Sequence, residues 1–256
     1  MYLKSILKKV IPEKFHPQAR QIYSTLILFW YIGDRFTCPI CNGHFRKLLP
    51  FGVKPRPNAQ CPKCGSLERH RLLWLYLKDR TNFFTNYLKI LDIAPYYYLQ
   101  KKFKKLENID YTSADISSPI AMIRIDITDI HLPSNQFDCI ICYHVLEHVQ
   151  NDKKAIKELF RVLKPGGWAI IQSPIDQNRK ITFEDPTALK DEEKEKLFGQ
   201  FDHVRVYGLD YKDRLEEAGF VVKVDKFVKE LPVNIIEKYR LNRSEYIYFC
   251  TKPEGN

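Results

Sequence analysis

The chain has 256 residues, of which 45% are hydrophobic, and it carries a formal net charge of +10. This length holds one full α/β domain with a small appendage. The positive charge favours an anionic partner, which can be nucleic acid, a membrane surface or an acidic glycan, and charge alone does not choose among them. Four of the seven cysteines lie in two Cys-x-x-Cys pairs, which argues for metal binding and against a disulfide framework in a chain without a signal peptide.

The first predicted element is a basic amphipathic helix over residues 2–11, within an N-terminal segment 1–35. Its aliphatic side chains share one helical face and its lysines lie elsewhere. Such a helix can lie in a membrane interface or dock on the protein's own surface, and both interpretations stay open. The apolar segment 22–32 is too short to span a bilayer of about 30 Å. With no convincing signal peptide either, we expect a cytoplasmic protein, with peripheral attachment at the inner face of the membrane as an option.

Two cysteine pairs follow, Cys38 with Cys41 and Cys61 with Cys64, and nineteen residues separate them. Four thiolates at this spacing are enough to close a tetrahedral zinc site, and the alternative is two pairs of buried free cysteines. Four protein ligands leave no open position for catalysis, so we expect the zinc to be structural. The sequence therefore predicts a zinc ribbon over residues 36–70.

A helix is predicted over residues 66–77, between the ribbon and the domain that follows. Its first turn contains Arg69, His70 and Arg71, ahead of an apolar run. These side chains can reach an anionic substrate or bridge the ribbon to the next domain, and the sequence leaves both roles open.

Three short apolar segments then predict parallel strands, each with an acidic residue at or near its carboxyl end. The first covers residues 88–94, the second ends at Asp115 and the third covers residues 122–126. An aspartate at the position of Asp115 can accept hydrogen bonds from both hydroxyls of a ribose, as it does in dinucleotide-binding folds.

Residues 137–173 predict a strand, a loop, a helix and a further strand. Cys139 and Cys142 lie in the first of these strands, where residues three apart point to opposite faces, so they are expected to be core thiols. Asn151 or Asp152 can cap the helix, and residues 164–167 are expected to end it. This arrangement gives parallel neighbours with a right-handed crossover, and the loop 143–148 is expected at the rim where such sheets bind ligands.

The runs FDCIICYHVLEHV and RVLKPGGWAIIQSP resemble the region of the fourth and fifth strands in class I S-adenosylmethionine-dependent methyltransferases of the small-molecule and natural-product type. This resemblance covers roughly residues 88–251. The run CPKCGSLERHRLLWLYL is similar to bacterial methyltransferases with an N-terminal zinc ribbon and adds residues 38–78. The resemblance implies an α/β fold in residues 71–256, a doubly wound sheet of seven strands with the last antiparallel, preceded by the ribbon.

The resemblance also implies a site for S-adenosylmethionine. Asp92 would face the methionine amine, although a helix cap is the alternative, and Asp126 would hold the adenine amino group while Ile127 covers the ring. The family has a glycine-rich turn after its first strand, whereas this chain has Ala94-Pro95 and no glycine there. The residues expected to bind the cofactor are Asp92, Ala94, Asp115, Asp126, Ile127 and His144.

Residues 174–207 are an insertion that is expected to cover the substrate. Asp202, His203 and Arg205 place an acid, a base and a cation within four residues, which suits proton abstraction, and a salt-bridged loop is the alternative. His203 is the first candidate for a catalytic base and His144 the second.

We therefore expect methyl transfer to a hydroxyl of a glycan, a lipid-linked compound or another small-molecule acceptor, with an anionic membrane surface as a further partner. One rival is an RNA methyltransferase, although the chain lacks the Asn/Asp-Pro-Pro-aromatic motif of amino-directed enzymes. The other rival is a cofactor-binding protein without turnover.

Overall fold

The structure is a computed structural model that describes residues 28–53, 55–185, 187 and 190–255. The predicted helix over residues 2–11, and most of the predicted segment 1–35, lie outside the described residues. Among the residues described, no helix is both long enough and apolar enough to cross a membrane.

The described part of the chain contains thirteen strands, seven helices, a helical stretch at residues 28–31 and a 3₁₀ turn at Leu146–His148. The strands are β1 Ile32–Cys38, β2 Gly43–Phe45, β3 Leu49–Phe51, β4 Arg56–Gln60, β5 Leu88–Ile93, β6 Ile109–Asp115, β7 Ile123–Arg124, β8 Phe137–Tyr143, β9 Leu163–Gln172, β10 Phe183–Glu184, β11 Arg205–Val206, β12 Val221–Asp225 and β13 Ile247–Thr251. The helices are α1 Glu68–Arg80, α2 Tyr97–Phe103, α3 Asp152–Val162, α4 Asp191–Phe198, α5 Tyr211–Glu216, α6 Phe227–Glu230 and α7 Val233–Tyr239.

The chain divides into two compact units. The first unit contains the described residues up to Leu75 and the later segment Leu231–Arg243, and the second contains residues 76–230 and 244–255. Each predicted domain, 36–70 and 71–256, is one continuous stretch of sequence. The observed first unit is discontinuous, because it also includes Leu231–Arg243.

The first unit contains two antiparallel strand pairs, β1 with β2 and β3 with β4. Each cysteine pair lies in a tight turn. The Asn42 amide donates to the Cys38 carbonyl, and the Gly65 amide donates to the Cys61 carbonyl, both at 2.8 Å. Asn42 and Gly65 have φ of 52° and 75°, a left-handed conformation that Asn and Gly tolerate best, so the residues after each pair permit these turns.

The second unit is built on a seven-stranded sheet in the order β12-β13-β9-β8-β5-β6-β7. The strands from β9 to β7 pair in parallel, whereas β13 runs antiparallel to both β9 and β12. The predicted fold class is therefore confirmed. Because β5, β6 and β8 are parallel neighbours, their carboxyl ends meet at one edge of the sheet.

The helix α3 follows the sequence prediction closely. The Asn151 side chain accepts a hydrogen bond from the Lys154 amide at 3.0 Å and caps the helix. One face of α3 is buried against the sheet through Ala155, Ile156 and Leu159. The apolar residues therefore recur at the 3.6-residue period that a core-facing helix requires.

Residues 164–167 follow the end of α3 at Val162, as predicted. They also belong to β9, which begins at Leu163, directly after the helix. An irregularity in the pairing of β8 with β9 accommodates Pro165 and Gly166, and Gly166 has φ of 74°. The backbone of Gly166 and Gly167 also exchanges hydrogen bonds with Lys252, which holds this segment in the sheet.

The third predicted strand is shorter than expected and consists of β7 alone. A bridge between Asp126 and Asp129 turns the chain directly after it. Within the insertion, β10 pairs antiparallel with β11, and α4 ends at Gly199, which has φ of 84°.

Candidate functional site

The first loop at the carboxyl edge of the sheet begins at Ala94, directly after β5. Ala94 has φ of 52°, and its amide donates to the Ala114 carbonyl at 2.8 Å. A residue with a side chain adopts this left-handed conformation at a cost of about 1–2 kcal/mol, which is why glycine is usual there. The loop therefore keeps a glycine-type backbone although it contains no glycine.

Asp92, near the end of β5, is only 4% exposed. The Tyr111 hydroxyl donates to its Oδ2 at 2.6 Å. Burial raises the pKa of Asp92 to about 7, and the bond from Tyr111 offsets part of that rise. The alternative role as a helix cap is wrong, because Tyr96 occupies the cap position of α2.

The other two predicted cofactor aspartates organise local turns. Asp115 Oδ1 accepts from the amides of Ser117 and Ser118, both at 2.7 Å. Asp126 Oδ1 accepts from the amide and the hydroxyl of Thr128, both at 2.8 Å. The amide and hydroxyl of Thr128 favour the ionised carboxylate and lower the pKa of Asp126. Each aspartate thus uses one carboxylate oxygen to shape its own loop.

Ile127, predicted to cover the adenine ring, is buried in the core of the second unit. It therefore contributes to packing below the rim, in addition to any contact it makes with a ligand.

The loop after β8 forms a connected polar cluster. His144 has φ of 60°, and its amide donates to the Gln172 carbonyl at 2.7 Å. Its Nδ1 lies 3.1 Å from Glu147 Oε1, and its Nε2 lies 3.8 Å from Glu245 Oε1. The Ser173 hydroxyl donates to Glu147 Oε2 at 2.9 Å. Glu147, which is 2% exposed, is therefore the centre of the cluster.

The insertion is attached to this loop by Arg205. Its guanidinium donates to the carbonyl oxygens of Leu146, Val149 and Gln150, and also to Glu184 Oε1 at 2.6 Å. Arg205 therefore does not act together with Asp202 and His203 as predicted, because its guanidinium binds the loop after β8 and Glu184.

His203 and Asp202 instead face His148. The rings of His203 and His148 are T-shaped at 4.8 Å, and His148 Nδ1 lies 3.1 Å from the Asp202 carbonyl oxygen. Burial lowers the pKa of His203, which is 6% exposed. Its imidazole is therefore mostly neutral near pH 7.

Residues 81–171, which contain β5, β6, β8 and α3, match the family model described as a methyltransferase domain. The parallel strands β5, β6, β7 and β8 of the seven-stranded sheet lie within the matched residues. The chain contains a class I S-adenosylmethionine-dependent methyltransferase domain.

Curated relatives of this methyltransferase domain match over short segments. A Mycolicibacterium smegmatis protein named "probable S-adenosylmethionine-dependent methyltransferase" is 29% identical over 86 residues, which are 31% of this chain and 32% of that protein. The ubiquinone/menaquinone biosynthesis C-methyltransferase UbiE of Cronobacter sakazakii is 34% identical over 68 residues, which are 27% of this chain and 25% of that protein. The chain thus spans a third or less of the length of these relatives.

Solved structures share the fold of the methyltransferase domain at low identity. The YcgJ protein of Bacillus subtilis has a TM-score of 0.50 and 14% identity, and the alignment covers 73% of this chain and all of that chain. The [4+2]-cyclase SpnF has the same score and identity, with coverage of 92% of this chain and 96% of that chain. These likenesses show the fold alone.

Outside the methyltransferase domain, the sulfur atoms of Cys38, Cys41, Cys61 and Cys64 lie within 4.8 Å of one another. Two of the Sγ–Sγ distances are 3.6 Å and 3.7 Å, far longer than a disulfide of about 2.05 Å. Sulfur ligands at about 2.3 Å from a tetrahedral zinc would lie about 3.8 Å apart. The donor set therefore fits a zinc ion.

The pKa values of these four thiols are shifted by the hydrogen bonds among them. Hydrogen bonding with Cys41 lowers the pKa of the Cys38 thiol, whereas hydrogen bonding with Cys38 raises the pKa of the Cys61 thiol. The Ser66 hydroxyl lies 3.2 Å from the sulfurs of both Cys38 and Cys64, where it can orient them. A metal ion would allow all four sulfurs to ionise together.

The sequence did not single out the partners that organise the site. Tyr111 and Ser173 lie in predicted strands and Glu147 lies in the predicted loop 143–148, but the sequence assigns none of them a partner. The available signal is a charged residue directly after the apolar pair Val145-Leu146, because a buried carboxylate requires hydrogen-bond donors.

Proposed function

We propose that the chain transfers a methyl group from S-adenosylmethionine to a hydroxyl of a glycan, a lipid-linked compound or another small-molecule acceptor. The observation that carries this proposal is the match of residues 81–171 to the methyltransferase domain, together with polar loops at the carboxyl ends of β5, β6 and β8. Ligands of open parallel sheets bind at that edge.

The cofactor would be held by the rim residues that the sequence analysis identified, Asp92, Ala94, Asp115, Asp126, Ile127 and His144. When bound, S-adenosylmethionine supplies an electrophilic methyl group on a sulfonium. Ala94 supports the fit, since its left-handed backbone turns the chain sharply away from β5. The buried Asp92 carboxylate would favour the amine of the methionine end, because a nearby cation stabilises its ionised form.

A hydroxyl acceptor requires a base, and His144 and His203 are the candidates. The acceptor oxygen would form a bond to the methyl carbon while the carbon–sulfur bond breaks and its electron pair stays on sulfur. The hydroxyl proton would pass to an imidazole nitrogen. His144 is supported by its position in the loop after β8 and by Glu147 at its Nδ1, which orients the ring and leaves Nε2 to accept a proton.

The acceptor class is supported by charge and by exposed aromatic groups. The chain has a net charge of +10, and Phe29 and Trp30, within the basic segment 1–35, are 72% and 69% exposed. Basic charge next to exposed apolar groups suits the anionic face of a membrane, so we place the protein in the cytoplasm with peripheral attachment to the inner face.

The four clustered cysteines would bind one structural zinc ion. The Sγ–Sγ distances and the burial of all four sulfurs support this assignment. Four ligands leave no open position, so the ion would stabilise the first unit and take no part in chemistry.

Three alternative functions each have a supporting observation. The relatives named UbiE are C-methyltransferases, which supports a carbon acceptor. The zinc-ribbon-like cluster and the positive charge support RNA. The first loop without glycine supports a cofactor-binding protein that does not turn over.

Calorimetry with S-adenosylhomocysteine tests the proposal first. We expect the wild-type chain to bind, and Asp115→Ala to weaken binding at least tenfold, because two hydrogen bonds to a carboxylate are worth about 1.5–3 kcal/mol each. The matched control is Asp129→Ala, whose exposed carboxylate pairs with His131 and should leave the affinity unchanged. No binding by the wild type would refute the proposal.

Turnover is the second test, with methyl-labelled S-adenosylmethionine and extracts that contain glycans, lipids or RNA. Label in a glycan or lipid fraction supports the proposal, whereas label in RNA, or none in any fraction, contradicts it. His203→Ala should bind S-adenosylhomocysteine normally, while His144→Ala should weaken that binding as well. Removing the base should reduce turnover about 10²–10⁴-fold.

A further inference from the structure

Three potential metal ligands converge beside the loop that follows β8. The ligand atoms of Glu147, His148 and His203 all lie within 4.8 Å of one another. Glu147 and His148 belong to the 3₁₀ turn, and His203 comes from the insertion. This cluster is separate from the four cysteines and involves nitrogen and oxygen atoms only.

The His148 ring is held in the tautomer that a metal requires. Its Nδ1 lies 3.1 Å from the carbonyl oxygen of Asp202 and 3.3 Å from the Asp202 carboxylate. A carbonyl oxygen only accepts, so Nδ1 donates and Nε2 of the neutral ring carries a lone pair. Metal-bound histidines usually donate their second ring nitrogen to a carboxylate or a carbonyl in this way.

Glu147 is a buried carboxylate whose two oxygens are both oriented by neighbours. His144 Nδ1 lies near Oε1, and the Ser173 hydroxyl donates to Oε2. Glu147 is only 2% exposed, so a cation beside it would compensate the charge of a buried carboxylate.

The segment that carries His203 is fixed against the 3₁₀ turn. The Val204 amide donates to the Glu147 carbonyl at 2.9 Å, and the adjacent Arg205 donates to three carbonyl oxygens of the 146–150 segment. The Arg205 charge is itself paired with Glu184. His203 thus faces Glu147 and His148, and the charge of the nearby Arg205 is compensated by Glu184.

We propose that Glu147, His148 and His203 bind a divalent transition-metal ion of the Zn²⁺ type. Ligands bonded at about 2.0–2.2 Å lie at most about 4.4 Å apart, so small side-chain rotations bring these atoms into coordination. Two imidazoles and a carboxylate suit zinc and its neighbours in the first transition row. Three protein ligands leave at least one position open, which is the arrangement of catalytic sites.

The role of the ion, unlike its binding, rests on the proposed function. The open position would take the hydroxyl oxygen of the acceptor, and the ion would lower the pKa of that hydroxyl as a Lewis acid. The released proton would pass to His144, because a metal-bound His203 has no lone pair to accept it. The acceptor oxygen would then form its bond to the methyl carbon as the carbon–sulfur bond breaks toward sulfur.

Metal content of the full-length protein tests the site. After dialysis against Zn²⁺ and removal of excess ion, we expect His148→Ala and His203→Ala to retain one ion per chain fewer than the wild type. His131→Ala is the matched control, because its side chain is 83% exposed and pairs only with Asp129 among the described residues. Circular dichroism would verify that each variant is folded, and the half-exposed His148 tolerates truncation best.

Cobalt substitution supplies a second readout. Co²⁺ bound by the cysteines gives thiolate charge-transfer absorption, whereas Co²⁺ bound by nitrogen and oxygen gives ligand-field bands alone. The His148→Ala spectrum should lose ligand-field intensity and keep the thiolate absorption. Equal metal content and equal spectra in His148→Ala, His203→Ala and His131→Ala would overturn the proposal. Calorimetry with S-adenosylhomocysteine on the same samples separates this result from a failure of the proposed function.

Discussion

The two compact units are stabilised by different interactions. In the first unit, four cysteine sulfurs cluster beside the fully buried Arg71. The Arg71 guanidinium donates to carbonyl oxygens of Ala59, Ser66, Tyr239 and Arg240, at distances from 2.7 to 3.1 Å. Arg71 therefore ties the two segments of this unit together, and its guanidinium is committed to the protein's own backbone and not to a substrate.

The second unit depends on apolar burial. Its sheet and helices enclose a core that includes Leu91, Ile140, Leu159 and Ile171, all of them fully buried. A larger domain buries a larger fraction of its surface, whereas a small unit does not and must use ligand or polar contacts. The stability of the first unit should therefore depend most on its metal ligands. The stability of the second should depend most on its buried apolar side chains.

The largest expected effect is the loss of a cysteine ligand. Cys61→Ser should remove one zinc ion and unfold the first unit, since zinc binding in small domains supplies about 10–16 kcal/mol. Chelation of the wild type should unfold the same unit. Elemental analysis and limited proteolysis measure this, and new cleavage is expected within residues 28–75. The control Cys139→Ser alters an equally buried cysteine of the second unit and should keep the zinc. Unchanged proteolysis of Cys61→Ser would remove the contrast between the units.

A cavity in the second unit should have the next largest effect. Leu159→Ala removes a fully buried side chain of α3 and should lower the free energy of unfolding of that unit by about 2–5 kcal/mol. Urea denaturation followed by circular dichroism measures it. Leu197→Ala, in the exposed helix α4, is the control and should change the stability by about 0.5 kcal/mol or less. Equal effects of the two substitutions would contradict the role given to the core.

Asp92 is the polar exception within the apolar second unit and gives a dependence on pH. Its native pKa of about 7 exceeds the unfolded value of about 3.9, so the native state binds more protons between these values. Stability should therefore fall as pH rises from about 4 to 7, by at most about 4 kcal/mol, and then level off.

The Asp92→Asn variant should abolish that dependence on pH, as measured by urea denaturation at a series of pH values. Tyr111→Phe is the matched control, because it removes the bond that favours the carboxylate. It should raise the pKa of Asp92 and move the end of the decline to higher pH. Equal pH dependence of the wild type and Asp92→Asn would contradict the assignment, because the difference between the two proteins isolates Asp92.

The smallest effect concerns the backbone of the first loop. Ala94→Gly should stabilise the second unit by about 0.5–1 kcal/mol, because relief of the left-handed strain exceeds the entropy cost of glycine. Ala169→Gly, in the buried strand β9, should destabilise it and is the control. Thermal unfolding measures both. If Ala94→Gly destabilises as much as Ala169→Gly, the left-handed conformation at Ala94 is wrong.

The sequence by itself determined the elements whose signal is local. The period of apolar residues identified the buried face of α3, and the pair Asn151 and Asp152 identified its start, with Asn151 as the observed cap. The cysteine spacing identified a four-sulfur cluster, and the resemblance of residues 88–251 to class I methyltransferases implied the seven-stranded sheet. These features could be predicted because burial in helices and strands repeats with the backbone, and tight turns restrict the residues they accept.

Only the tertiary structure decided which polar groups meet. Tyr111 contacts Asp92 across 19 residues, Ser173 contacts Glu147 across 26, and His148 contacts Asp202 across 54. Arg71 reaches the Tyr239 carbonyl across 168 residues, which brings Leu231–Arg243 into the first unit. Such pairs leave no periodic pattern in the sequence, because they arise from the order of strands in the sheet and from the packing of loops at its edge.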